Sequence, residues 1–295
     1  MLSILIPTYK QDVSSLVNTL HQQCLKEHIQ FEILAQDDAS NEITFKSFNS
    51  AIDISFFSWE RNLENLGRAA NRNKLAERSK YDLLLFIDGD SIVENHHFIK
   101  NYLFHQEHSL VYGGTNYPEK RPTDSMLYLH WKYATTYEAL SARKRIENPY
   151  NSFHSNNFLI KKEIFKQSPF DQSILKYGYE DHLFAHNFKH LKVPISHISN
   201  PVLHNGLEAN QAFLDKTKKA IENLSELYQK GKVNEGNLIK KYQELKQRKQ
   251  LTYISKILEW RRSAIHKNLI SGKPKMINFQ LYKLDLFIRF QKEME

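Results

Sequence analysis

Short apolar runs that stop at polar residues alternate with helix-spaced segments along the first hundred positions. Leu2–Pro7 (LSILIP) is a continuous apolar run of strand length, ended by proline. Ser14–Lys26 then places Leu16, Val17, Leu20, Cys24 and Leu25 at helix-compatible spacings. Phe31–Ala35 (FEILA) reads as a second strand, Ile54–Trp59 as a third and Leu83–Ile87 (LLLFI) as a fourth, the most hydrophobic. Between the last two, Gly67–Ser79 reads as a helix, with Ala69, Ala70, Leu75 and Ala76 set among basic residues. This alternation predicts an α/β fold with a mostly parallel, Rossmann-like sheet covered by helices on both faces.

Beyond residue 100 the pattern loosens. Val111–Thr115 (VYGGT) predicts a strand ending in a glycine pair, Met126–Lys144 an aromatic-rich helix, Asn156–Ile160 a strand and Glu180–His190 a helix. After Glu208 the helical period is sustained: Phe213, Thr217, Ile221, Leu224 and Tyr228, then Leu238, Ile239, Tyr242 and Leu245, with Gly231 and Gly236 between them. Tyr253–Leu269 and Phe279–Phe290 continue it, separated by Gly272 and Pro274. The expected organisation is an α/β domain over 1–207 and a helical extension over 208–295.

Composition narrows the function classes. The one cysteine, Cys24, excludes an intrachain disulfide and a cysteine-built zinc site, and reads as a small buried hydrophobe. MLSILIPTYK has too short an apolar run for a signal peptide and lacks a basic region before it. No stretch approaches the roughly 18 apolar residues of a spanning helix. A cytoplasmic location is the expectation. The net charge of +8 is unevenly placed: residues 207–295 hold 19 Lys and Arg against 10 Asp and Glu. Such a basic third suits nucleic acid or an anionic membrane surface, and equally a set of solvated helix faces.

The chemistry-bearing residues gather at predicted strand ends. Thr8 and Tyr9 follow the first strand, Asp37 and Asp38 the second, Asp88 and Asp90 the fourth. Open α/β sheets bind ligands beyond the carboxyl ends of their strands. Residues i and i+2 of a strand point to one side, so Asp88 and Asp90 would converge, with Gly89 leaving room for a ligand. Paired carboxylate oxygens suit Mg²⁺ or Mn²⁺ when a diphosphate supplies further donors. Asp-Gly-Asp is also good turn chemistry.

Five motifs in order then resemble a known family. They are Ile6-Pro7-Thr8-Tyr9, Asp37-Asp38-Ala39-Ser40, Asn65-Leu66-Gly67 with Arg72-Asn73, Asp88-Gly89-Asp90, and Gly178-Tyr179-Glu180-Asp181. Over roughly residues 1–210 the chain resembles the bacterial-type, inverting glycosyltransferases of family 2, which have the GT-A fold. The resemblance implies a nucleotide pocket lined by Pro7, Thr8 and Tyr9, with Asp38 accepting a hydrogen bond from a uracil-like base. It implies Arg72 near the diphosphate, Asp88 and Gly89 at the ribose or metal shell, and Asp90 as metal ligand. The family's usual Asp-Asp-Gly-Ser is Asp-Asp-Ala-Ser here, so a loop altered by the loss of glycine at position 39 is expected.

Inverting transfer needs the leaving diphosphate held, the acceptor hydroxyl deprotonated on the opposite face, and the two substrates aligned. The resemblance gives the base role to Asp181, with Glu180 beside it, although adjacent carboxylates at a helix N-terminus also simply complement the dipole. His204 is a candidate third ligand for Mn²⁺ or Mg²⁺. Asn156 and Asn157 are candidates to face donor or acceptor, and Gly113 and Gly114 to admit the donor sugar. His96, His97, His182 and His186 read as surface or packing residues.

The implied partners are a nucleotide-sugar donor, UDP-linked, and a glycan or lipid-linked hydroxyl acceptor, in cell-envelope polysaccharide synthesis. Trp260, Arg261, Arg262 and the aromatic run Phe279–Phe290 suggest docking of the basic third on the inner face of the cytoplasmic membrane. Packing of these helices on the catalytic domain, or a homodimer, is the competing expectation. Two other functions stay open at this point. A sugar-nucleotide nucleotidyltransferase would usually carry a glycine-rich basic loop where Pro7-Thr8-Tyr9-Lys10-Gln11-Asp12 stands. A nucleic-acid-binding protein would leave the strand-end carboxylates unexplained. Neither Gly-x-Gly-x-x-Gly nor Gly-Lys-Ser/Thr follows the first strand.

Overall fold

The strand-end residues are carried by a seven-stranded sheet of order β3-β2-β1-β4-β8-β6-β9. A computed structural model describes residues 1–49, 54–174, 176–204 and 206–294. The first elements are β1 (Leu2–Thr8), α1 (Ser14–Lys26), β2 (Phe31–Asp37), α2 (Glu42–Asn49), β3 (Phe57–Arg61), α3 (Arg68–Arg78) and β4 (Leu83–Ile87). Next come β5 (Ser91–Ile92), α4 (Phe98–Phe104), β6 (Leu110–Tyr112), β7 (Thr115–Asn116), α5 (Tyr128–Tyr137) and α6 (Ala142–Ile146). They are followed by β8 (Asn157–Lys161), α7 (Lys162–Gln167), α8 (Glu180–His190), β9 (Ile195–His197) and β10 (Val202–His204). The chain ends in α9 (Asn210–Gln229), α10 (Asn237–Gln247), α11 (Leu251–Leu269) and α12 (Met276–Met294).

β1 pairs parallel with β2 and β4, and β2 with β3, which brings the carboxyl ends of all four to one edge. β8 runs antiparallel between β4 and β6. Alternate residues serve opposite faces. Ile4, Ile33 and Leu85 enter one core, while Leu5, Leu34 and Leu84 enter the other. Both faces being buried explains why these strands read as unbroken apolar runs. A second sheet, β5-β10-β7, is made of strands of two or three residues.

The chain divides into two compact units. The first comprises Met1–Tyr117, Glu138–Leu175 and Glu180–Gly206. The second comprises Pro118–Tyr137, Lys176–Tyr179 and Leu207–Glu295, so it draws on two segments upstream of residue 208. Its core uses the predicted helical stripes: Ile221, Leu224, Ile239, Tyr242, Phe279 and Phe287 are all buried.

Three elements differ from expectation for local reasons. The helix expected over Met126–Lys144 is two, α5 and α6, because Ser141 caps a new start by accepting from Lys144 N. The strand expected at Val111–Thr115 splits at its glycine pair into β6 and β7, which join different sheets. The third strand lies at Phe57–Arg61, where Phe57 pairs with Ile33. Among the described residues no helix is long and apolar enough to cross a membrane.

Candidate active site

A cavity of about 340 Å³ opens at the carboxyl edge of β1, β2 and β4. Pro7, Thr8, Tyr9, Asp38, Arg72, Asp88, Gly89 and Asp90, all expected at the site, line it. Tyr9 is half exposed with the Lys10 ammonium 4.9 Å from its ring centroid, whereas Thr8 is buried with its hydroxyl unpartnered.

The loop after β2 is built around two aspartates with different tasks. Asp37 shapes it, accepting from Ser40 N at 2.7 Å and Ser40 Oγ at 2.6 Å. Asp38 ties it to the start of α3, accepting from Leu66 N at 2.8 Å, Gly67 N at 2.9 Å and Asn62 Nδ2 at 3.0 Å. Buried Asn62 also bonds Gln36 and Asn71, so Asp38 is held by a connected polar network. Ala39 sits at φ +64°. Alanine therefore holds a left-handed conformation that glycine adopts more cheaply, which puts strain into this loop.

Asp88 and Asp90 converge by a turn and not by strand pleat. β4 ends at Ile87, and Ser91 N donates to Asp88 O at 3.0 Å, closing the turn over Gly89. A Cβ on Gly89 would lie 3.1 Å from Val13 Cγ1 and 3.2 Å from Thr8 Cγ2, so a side chain there would have to push these methyls aside by a few tenths of an ångström. Asp88 Oδ1 accepts from Arg72 Nη2 at 2.6 Å. Burial, reinforced by Asp90 and Asp181 and opposed by Arg72, pushes the Asp88 carboxyl above its usual range. Asp90 is half exposed, with Oδ2 3.5 Å from Nδ1 of His204 on β10. Burial works against its ionisation, yet the His204 hydrogen bond and charge hold it low. Burial likewise depresses His204, but Asp90 outweighs this and raises it. Among the described residues no three His, Cys, Asp or Glu side chains form a complete metal shell. The oxygen and nitrogen donors of Asp90 and His204 fit a hard or borderline divalent ion whose other ligands come from a substrate.

Arg72 is almost fully buried, paired with Asp88, and stacked 5.5 Å from the Phe170 ring, with Nε unpartnered. Arg68, one turn earlier on α3, is half exposed in the cavity wall, and its Nη1 lies 3.5 Å from Glu180 Oε1. Glu180 and Asp181 open α8. Burial, then the Asp181 charge, pushes the Glu180 carboxyl up, and its Oε2 has no partner. Asp181 is fixed by one residue: Ser155 Oγ donates to Oδ1 at 2.6 Å and Ser155 N to Oδ2 at 3.2 Å. Unpartnered buried atoms thus cluster here, on Thr8, Arg72, Glu180 and Asn156.

Some sequence candidates are structural. Asn157 is wholly buried, donating to Gly114 O and Asn200 O and accepting from Tyr102 Oη at 2.6 Å. At Gly113 and Gly114 the space a side chain would need is already filled by the protein. A Cβ on the first would fall 2.3 Å from Tyr102 Oη, and on the second, at φ +100°, 2.2 Å from Arg145 Nη1. Asn156 bonds Thr115 Oγ1 through Nδ2, leaving Oδ1 open. Cys24 is buried and its thiol is pushed up to about 12. Ser155, Arg68 and Asn62 were not singled out in the sequence; only the motif neighbours Asn156, Arg72 and Asn65 pointed towards them.

The Glycosyl transferase family 2 model matches residues 3–168. The chain belongs to this family. That membership favours neither the nucleotidyltransferase nor the nucleic-acid-binding alternative. A Haemophilus influenzae protein described as an uncharacterized glycosyltransferase is 37% identical over 94 residues. That match covers 30% of this chain and 29% of the relative. TarS 1-349 of S. aureus shares the fold at a TM-score of 0.52 with 16% identity, over 99% of this chain and 90% of that one. It has also been solved in complex with UDP. The mannosyltransferase PcManGT of Pyrobaculum calidifontis, in complex with GDP-Man and Mn2+, gives a TM-score of 0.51 with 11% identity. That alignment covers 80% of this chain and 65% of the mannosyltransferase. These structures show that the fold of this family 2 chain is the GT-A type.

Proposed function

We propose that this glycosyltransferase moves a sugar from a UDP-sugar to a hydroxyl of a glycan or lipid-linked acceptor, with inversion at the anomeric carbon. The observation that carries this reading is the Asp181 carboxylate, gripped on both oxygens by Ser155 and close enough to perturb Asp88 in the wall of the cavity. Tyr9 offers the base a ring, while Asp38, with three donors already on its carboxylate, has one lone pair left for a ring N–H. TarS bound to UDP supports a uridine donor by analogy. Arg68 is the cation best exposed to a diphosphate, since Arg72 is spent on Asp88. Asp90 and His204 would hold Mn²⁺ or Mg²⁺, which when bound offsets the charge of the diphosphate.

Asp181 takes the proton of the acceptor hydroxyl. The acceptor oxygen then bonds to the anomeric carbon as the bond from that carbon to the phosphate oxygen breaks, and UDP leaves. Ser155 fixes which carboxylate lone pairs face the incoming hydroxyl. Glu180, beside the base, has its carboxyl pushed up by burial and by the Asp181 charge and lies against Arg68.

A panel of nucleotide sugars with Mn²⁺, read by UDP release, tests the reading. UDP release from one donor, abolished in Asp90→Ala and in excess EDTA, is the expected result. Metal-independent turnover, or turnover confined to a GDP-sugar, would contradict it.

A further inference from the structure

Helix α11 leaves one face to solvent. Leu258, Ile265 and Leu269 turn inward and are buried. On the outer side Tyr253 is 68% exposed and Trp260 is 84% exposed. Exposed Lys256, Ala264 and Lys267 share the stripe at spacings of three and four. The two rings are seven residues apart, about 10 Å along the axis, so they project side by side.

The surroundings are strongly cationic. Residues 246–267 hold seven Lys and Arg and one acidic residue, Glu259. Arg262 is engaged by Asp285 at 2.8 and 3.1 Å. The other six, Lys246, Arg248, Lys249, Lys256, Arg261 and Lys267, are exposed. The aromatic run of α12 takes no part, because Phe279, Phe287 and Phe290 are buried in the second unit. A convex helix face with spaced Trp and Tyr rings rimmed by Lys and Arg complements a lipid headgroup layer. Such rings settle at the interface while the cations meet anionic headgroups. A second copy meeting this face about a twofold axis would bring six cations against six. Single-stranded nucleic acid usually stacks on rings set along a groove that tracks its backbone, whereas these two rings stand on the outer face of one helix.

We propose that Tyr253 and Trp260 of α11, with the exposed cations around them, dock the protein on an anionic lipid surface. This rests on the second unit alone and stands apart from the assignment of donor and base.

The test uses the full chain with vesicles of phosphatidylcholine, or of equimolar phosphatidylcholine and phosphatidylglycerol. At low salt the protein should sediment with the anionic vesicles only, with a blue shift of tryptophan emission that Trp260→Ala removes. Added salt should release it. Tyr253→Ala with Trp260→Ala, and separately Lys256→Glu with Arg261→Glu, should each weaken partitioning about tenfold or more, with UDP release in solution unchanged. Equal partitioning into neutral vesicles, or wild-type partitioning by both double variants, would overturn the proposal. So would a dimer in sedimentation velocity that Trp260→Ala dissociates, or oligonucleotide binding lost in the same variants without any lipid effect.

Discussion

Ala39 stands at φ +64° in the loop that presents Asp38, a conformation that costs a residue with a Cβ roughly 1–2 kcal/mol. Ala39→Gly relieves that strain but adds chain entropy to the unfolded state, so a net gain of about 0.5–1 kcal/mol in denaturant melts is expected. An unchanged midpoint would mean that the loop carries no strain. Ser155 supplies both hydrogen bonds that orient Asp181, one from its hydroxyl and one from its backbone. Ser155→Ala removes only the first. Single-turnover transfer should fall about tenfold, the scale of one charge-assisted hydrogen bond, with donor affinity unchanged. Carboxylates at strand ends were legible because their residue type, position and order matched a family pattern. Ser155 was not, because a serine before a strand has no signature until folding sets it against α8.

The loop that runs into α8 carries strain of its own. Gly178 stands at φ +92° and Tyr179 at φ +69°. Within the second unit Asn223 of α9 donates to Gly178 O at 2.5 Å, and Lys176 pairs with Glu222 and Glu226. Asn223→Ala leaves that carbonyl short of a partner, and a loss of about 1–3 kcal/mol in stability is expected by urea titration. A second element, α12, holds a depressed amine. Lys283 lies against the Tyr133 and Phe279 rings, and burial pushes its amine down to about 8 from 10.5. The folded chain then binds fewer protons than the unfolded one between these values, so stability should climb as pH rises from about 8 to 10.5. Lys283→Met should flatten that slope and raise stability at neutral pH; a wild-type slope of zero would mean that the rings keep the amine charged. Elements with sustained period were legible, α8 to the residue. The two-residue strands β5 and β7 were not, since pairing and not local sequence defines them.

At the scale of the molecule, sheet order turns scattered motifs into one site. Parallel pairing of β1 with β2 and β4 brings Thr8, Asp38 and Asp88 to one edge, and β10 returns His204 to Asp90. The alternating pattern implied the shared edge, whereas His204 became a candidate only through the family resemblance. The pattern did not reveal that Pro118–Tyr137 and Lys176–Tyr179 belong with the C-terminal helices, because such membership is a matter of tertiary packing, as where Asn210 accepts from Leu129 N. The central claim is that Asp181 is the base of a single displacement in a site where donor binding is carried by other residues. Single-turnover transfer by Asp181→Asn, at a donor concentration shown to saturate it, tests this most directly. The account predicts a rate lower by on the order of 10²–10⁴, the range for loss of a general base, with donor affinity near that of the wild type. Near-normal transfer by Asp181→Asn would contradict it.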